Sequence, residues 1–189
     1  NRVEIVKALV ECPKVDVNLC DFGESSPLHE AVCSENLIFT QILLDNDKTN
    51  INLIDQIGKT PLMLALDSLS FKHMKLFINS NKKIEKLVDV VNESISKNCS
   101  EITEFLMNSD KLDLNNKDAT DSIIKSIIKW NKFNYLEFFF NPKRFNINLC
   151  FGEELKSILH LCCSIKEFYH FIPLILKRKD IDVNIRDSN

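Results

Sequence analysis

Apolar residues recur along the chain at positions i, i+2, i+3, i+6 and i+7, with an occasional hydroxyl or histidine in the set. The sets are Val3, Ile5, Val6, Leu9, Val10; Leu37, Phe39, Thr40, Leu43, Leu44; and Phe71, His73, Met74, Phe77, Ile78. They continue as Ser100, Ile102, Thr103, Leu106, Met107; Phe133, Tyr135, Leu136, Phe139, Phe140; and Tyr169, Phe171, Ile172, Ile175, Leu176. On a 3.6-residue helix these positions form one broad stripe, so each set predicts an amphipathic helix with one buried face.

A tripeptide follows each stripe except the third. The copies are Asp16-Val17-Asn18, Asn50-Ile51-Asn52, Asp113-Leu114-Asn115, Asn146-Ile147-Asn148 and Asp182-Val183-Asn184. Their final asparagines stand 34, 63, 33 and 36 residues apart, the second interval being close to two periods. In the third unit Lys86 takes the asparagine's place by register. Such a period marks stacked repeats, in which no unit buries its stripe alone.

A shorter helix is predicted before each stripe. Its start is plainest at Ser26-Pro27-Leu28-His29-Glu30-Ala31 and Thr60-Pro61-Leu62-Met63-Leu64-Ala65. The hydroxyl caps free N–H groups, and proline fits the first turn without losing a needed donor. Weaker versions are Ser157-Ile158-Leu159-His160-Leu161-Cys162, Val90-Val91-Asn92-Glu93-Ser94 and Ile123-Ile124-Lys125-Ser126-Ile127. Asp21-Phe22-Gly23 and Asp55-Gln56-Ile57-Gly58-Lys59 predict tight turns, or fingers, ahead of the two plain starts.

These residues resemble the ankyrin repeat, whose pattern carries Thr-Pro-Leu-His with alanine two positions on, in a unit of about 33 residues. The resemblance implies an all-α solenoid and a single domain, 1–189. The register divides it into a partial repeat (1–17), repeats at 18–51, 52–84, 85–114, 115–147 and 148–183, and the start of another (184–189). It also implies that His29 and His160 hydrogen-bond the turn backbone. The glycine usual between the two helices is replaced by Glu35, Leu69, Asn98, Asn131 and Lys166, so an ordinary residue must turn the chain there. Lys82-Lys83-Ile84-Glu85-Lys86 predicts a short or distorted finger. Pro173 marks either the first turn of the last helix or a kink.

Composition narrows the function. Net charge is −3, and no run of basic residues suggests a nucleic-acid interface. No apolar run reaches the roughly 18 residues of a membrane span. The seven cysteines are odd in number and lack CxxC spacing, which favours reduced, packed thiols in an intracellular, cytoplasmic or nuclear setting over a disulfide frame or zinc site. Cys162-Cys163 reads as inner-helix packing, and His73 as a satisfied core or edge residue. His170 falls in the loop before Phe171. The chain starts without methionine, which points to a piece of a longer protein.

The three glycines are isolated, and the histidines form no catalytic spacing, so neither a phosphate loop nor a catalytic set is present. The expectation is a monomeric, non-catalytic scaffold that needs no cofactor or metal and binds another protein. A targeting arm of a larger enzyme or effector and a spacer between domains are the alternatives. Ankyrin-like stacks bind through finger tips and inner-helix ends. By register these supply Phe22, Gln56, Ile57, Lys59, Asp67, Ser68, Lys97, Lys129, Trp130 and Ile165. Trp130, the only tryptophan, is either a binding anchor or a lid over a degenerate repeat. Pointing outward, Trp130 and Ile165 would make an apolar spot beside Lys97 and Lys129.

Overall fold

The structure, a computed structural model, describes residues 2–188. Its regular elements are helical; among the described residues the β structure is a single bridge between Phe151 and Lys156. The chain divides into two compact units, Asn1–Val90 and Val91–Asn189.

In the first unit α1 (Arg2–Glu11) is a lone outer helix. Two inner–outer pairs follow: α2 (Pro27–Cys33) with α3 (Leu37–Asp45), and α4 (Pro61–Asp67) with α5 (Phe71–Asn79). Inner helix packs on inner helix and outer on outer, α1 touching α3 and α3 touching α5. Leu43, Leu44, Met74, Phe77 and Ile78 are buried as their stripe requires. The first stripe is not: Ile5 and Leu9 are exposed and Val10 alone is buried, and among the described residues no inner helix pairs with α1.

Helix α6 (Leu87–Ser96) crosses the division. The second unit continues with α7 (Ser100–Met107), α8 (Lys117–Lys129), a 3-10 helix over Phe133–Phe140 and α9 (Ile158–Ser164). A further 3-10 helix, Lys166–Phe171, leads into α10 (Ile172–Ile175). Phe139 is fully buried and meets Phe145 edge-on, centroids 5.0 Å apart. Its segment is wound tighter than the α-helix expected, and it stops at Asn141, whose extended backbone is the one Pro142 favours in the residue before it.

The register correctly ends every inner helix, at Cys33, Asp67, Ser96, Lys129 and Ser164. It misplaces two starts. Helices α6 and α8 run for 10 and 13 residues, where α2, α4 and α9 have 7. The extra turns occupy the ground a finger would take, so residues 85–114 and 115–147 carry none. Without Gly or Pro to break it, and with Asn116 capping through the N–H of Ala119, α8 starts directly after its tripeptide.

The left-handed turn between helices falls on Glu35, Leu69, Asn98 and Asn131, with φ of 54°, 52°, 58° and 54°. Lys166 does not take it. One inserted residue lets Ile165, at φ −110°, pass directly into the 3-10 helix. The same insertion shifts the last stripe: Phe168 is buried where Tyr169 was expected, and Tyr169 and Leu176 are exposed. His170 belongs to that 3-10 helix and stacks on Phe171, centroids 3.9 Å apart. Pro173 lies in the first turn of α10, where its missing N–H costs nothing.

The tripeptide has a defined job at each of its residues. The side-chain oxygen of the first residue accepts the N–H of the third at 2.9–3.0 Å in all five copies. The middle residue is buried in four copies, with Val183 exposed. The asparagine reaches the next repeat. Asn18 Nδ2 donates to the Lys48 carbonyl (2.8 Å), and its Oδ1 accepts the Asn50 N–H (2.7 Å). Asn52 does the same with Lys83 and Glu85, Asn115 with Arg144 and Asn146, and Asn148 with Asp180 and Asp182. This bridge puts Glu85 at the place of Asn50. The third unit's asparagine position is therefore Leu87, one residue beyond Lys86, and Leu87 is buried as the first residue of α6.

Candidate functional site

In the first unit two fingers stand side by side. Asp21 Oδ1 accepts the N–H groups of Gly23 and Ser25, both at 2.9 Å. Asp55 Oδ1 accepts those of Ile57 (3.0 Å) and Lys59 (2.9 Å). Each carboxylate thus clamps its own turn, and the N–H of Gln56 joins the turns by donating to the Gly23 carbonyl at 3.1 Å. Gly58 supplies positive φ in the second finger; in the first the equivalent place is Glu24, not the neighbouring Gly23. Leu155 takes it in the third finger, which is one residue longer and closed by the Phe151–Lys156 bridge. There Glu153 is exposed and Lys156 pairs with Glu154.

Histidine links finger to helix. His29 Nδ1 accepts from the Ser26 N–H (3.1 Å) and lies 2.8 Å from Ser26 Oγ, which leaves Nε2 protonated to donate to the Lys59 carbonyl at 3.0 Å. His29 therefore cross-links its own helix start to the following finger. His160 repeats the first half of the arrangement with Ser157, at 3.2 and 2.9 Å. His73 departs from expectation: Nδ1 meets Ser70 Oγ at 2.8 Å, but buried Nε2 has no partner.

The clamped fingers present Phe22, Gln56 and Ile57 to solvent. Lys59 reaches Asp67 at the end of α4, 3.6 Å away, while the exposed Ser68 donates its hydroxyl back to the carbonyls of Leu64 and Ala65. Six of the expected residues thus lie on the finger tips and inner-helix end of one unit. Cys33 ends α2 nearby; burial first, and then the charges of Glu30 and Asp55, raise its pKa and keep it a thiol.

The remaining four belong to the second unit. Trp130 caps the end of α8 and is 44 % exposed, with Lys129 Nζ 5.3 Å from its ring centroid. Lys97, the first residue beyond α6, lies 3.4 Å from Glu93 of that helix. Ile165 is half-buried, its N–H donating to the Leu161 carbonyl at 3.0 Å. Of the Cys162-Cys163 pair only Cys162 packs; burial pushes its pKa up to about 12, and Cys163 is exposed. Sequence reasoning missed the clamping carboxylates, although each stands five residues before a helix-start hydroxyl.

No helix among the described residues is long and apolar enough to cross a membrane. No curated protein and no solved structure matches the chain. A family model described as ankyrin repeats (3 copies) matches residues 1–88. The asparagine bridges and the serine–histidine cap of that stretch recur at Asn115, Asn148 and Ser157. Residues 1–88 thus carry ankyrin repeats, which are in general protein–protein interaction modules and typically non-catalytic.

Proposed function

We propose that the protein is a non-catalytic scaffold that binds another protein through finger tips and inner-helix ends. One observation carries this reading. Phe22 and Ile57 are strongly exposed on adjacent turns that Asp21, Asp55 and the Gln56–Gly23 bond hold rigid. Apolar side chains held out on fixed backbone lose little entropy on binding, so their burial goes into affinity. Lys59, Asp67 and Ser68 supply a polar margin, as the rim of an interface does. In the second unit Trp130, flanked by Lys129, offers an aromatic anchor with Ile165 and Lys97 on other inner-helix ends.

The full chain and a Phe22→Ala/Ile57→Ala variant, compared in pull-down and then in titration with the captured protein, test the reading. The variant should bind at least tenfold more weakly with an unchanged melting temperature. Equal binding by both proteins would sink the finger-tip site.

A further inference from the structure

A second, chemically different surface lies in the second unit. A cavity of about 430 Å³ opens between the last turn of α7 and the 3-10 helix Phe133–Phe140. That volume falls within the range of small-ligand clefts. Tyr135 lines it and is 1 % exposed, yet its hydroxyl makes no hydrogen bond and is not sealed among the fully buried polar atoms. A phenol this deeply buried normally finds a partner. The open direction is the cavity.

The surroundings are electronegative. Glu104 and Glu137 line the cavity from its two sides, both exposed, and neither makes an ion pair among the described residues. Glu104 sits in the last turn of α7, where the helix dipole is negative and a carboxylate is disfavoured unless a cation is near. Arg144 also lines the cavity, but its guanidinium is committed to the carbonyls of Met107, Ser109 and Leu112. It shows that a guanidinium suits this helix end. The side-chain amides of Asn108 and Asn134 add uncommitted acceptors, and Phe138 adds an aromatic face.

We infer that this cavity receives an arginine side chain from a partner protein, held between Glu104 and Glu137 with Tyr135 accepting one of its N–H groups. A planar fork of donors fits several oxygens at once and stacks on an aromatic ring, which a point-like ammonium does not. The site is separate from the finger tips, and failure of either reading leaves the other standing.

The test uses the full chain and three probes: acetyl-Gly-Arg-Gly-amide, the same peptide with neutral citrulline for arginine, and spermidine. Nuclear magnetic resonance titration should show saturable shifts of the Asn108 and Asn134 side-chain amides with the arginine peptide, and none with citrulline. Glu104→Gln/Glu137→Gln should weaken binding by about tenfold or more, and Tyr135→Phe by a few-fold, with thermal unfolding unchanged. Equal response to arginine and citrulline, or no response to either, would overturn the inference. So would unaltered binding by the double glutamine variant. Saturable binding of spermidine without binding of the arginine peptide would overturn the assignment to a protein side chain.

Discussion

Asn18 Oδ1 accepts the backbone N–H of Asn50 at 2.7 Å, while Asn18 Nδ2 donates to the carbonyl of Lys48. One side chain thereby satisfies a donor and an acceptor of the next repeat. Alanine at this position leaves both unpaired or handed to water. Asn18→Ala should lower stability by about 1 kcal/mol. Asn18→Asp should also destabilise, since a carboxylate would face the Lys48 carbonyl. Urea unfolding of both variants checks this; a neutral aspartate substitution would refute the two-bond account.

Phe139 is the anchor of the second unit's aromatic core. Truncation to alanine removes the ring from a fully enclosed site and its edge-on contact with Phe145. Phe139→Ala should cost about 3–5 kcal/mol, read as a lowered denaturation midpoint. A loss below about 1 kcal/mol would show that the site collapses or that Phe139 is not enclosed.

Leu69 holds φ at 52° and is exposed, so it contributes strain and little packing. Leu69→Gly should raise stability, by up to about 1 kcal/mol after the unfolded chain's gain in freedom is set against the relieved strain. Calorimetry would decide; a lowered melting temperature would mean that Leu69 is not strained there.

His73 gives the protein a pH dependence. Burial lowers its pKa from the ordinary 6.5, with Glu35 opposing the shift more weakly. The folded state therefore binds the proton less readily than the unfolded state. Stability from this group is fully present above about pH 6.5 and is lost as pH falls from there through the depressed folded pKa. His73→Gln should flatten the stability profile between pH 5 and 7 relative to the native chain. An unchanged slope would assign the pH dependence to other groups.

On the proposed function, Trp130 binds a partner more than it packs. With 44 % of its surface exposed at the end of α8, Trp130→Ala should leave the melting temperature nearly unchanged. It should weaken partner binding by about 2 kcal/mol or more if the second unit's inner-helix ends take part. A large stability loss with full binding would reverse that assignment.

Much of this architecture is legible in the residue pattern, for identifiable reasons. Stripe spacing places Leu43, Phe77 and Phe139 in the core, because a helix has one period and one buried side. Inner-helix ends follow by counting. The lost finger before α6 is partly legible, since Lys82–Lys86 lacks turn residues and predicts a short or distorted finger; the one before α8 is not, since residues such as Lys117, Asp118 and Asp121 suit a turn or a helix N-terminus equally. The surface reading finds Phe22 and Ile57 because they sit beside recognisable turns. Tyr135 escapes it: in the pattern it is one more member of an apolar stripe, and its unpaired hydroxyl exists only in three dimensions.

The bridging asparagines place almost no demand on what they grip. Their carbonyl acceptors belong to Lys48, Lys83, Arg144 and Asp180, three basic residues and one acidic, and only the main chain is touched. A connection made to backbone is indifferent to substitution at its far end. The chain can therefore drift in composition while its joints keep the same geometry wherever the short amide side chain survives, as at Asn18, Asn52, Asn115 and Asn148 but not at Leu87. A family pattern can fade beyond residue 88 while the physical joint beneath it still holds.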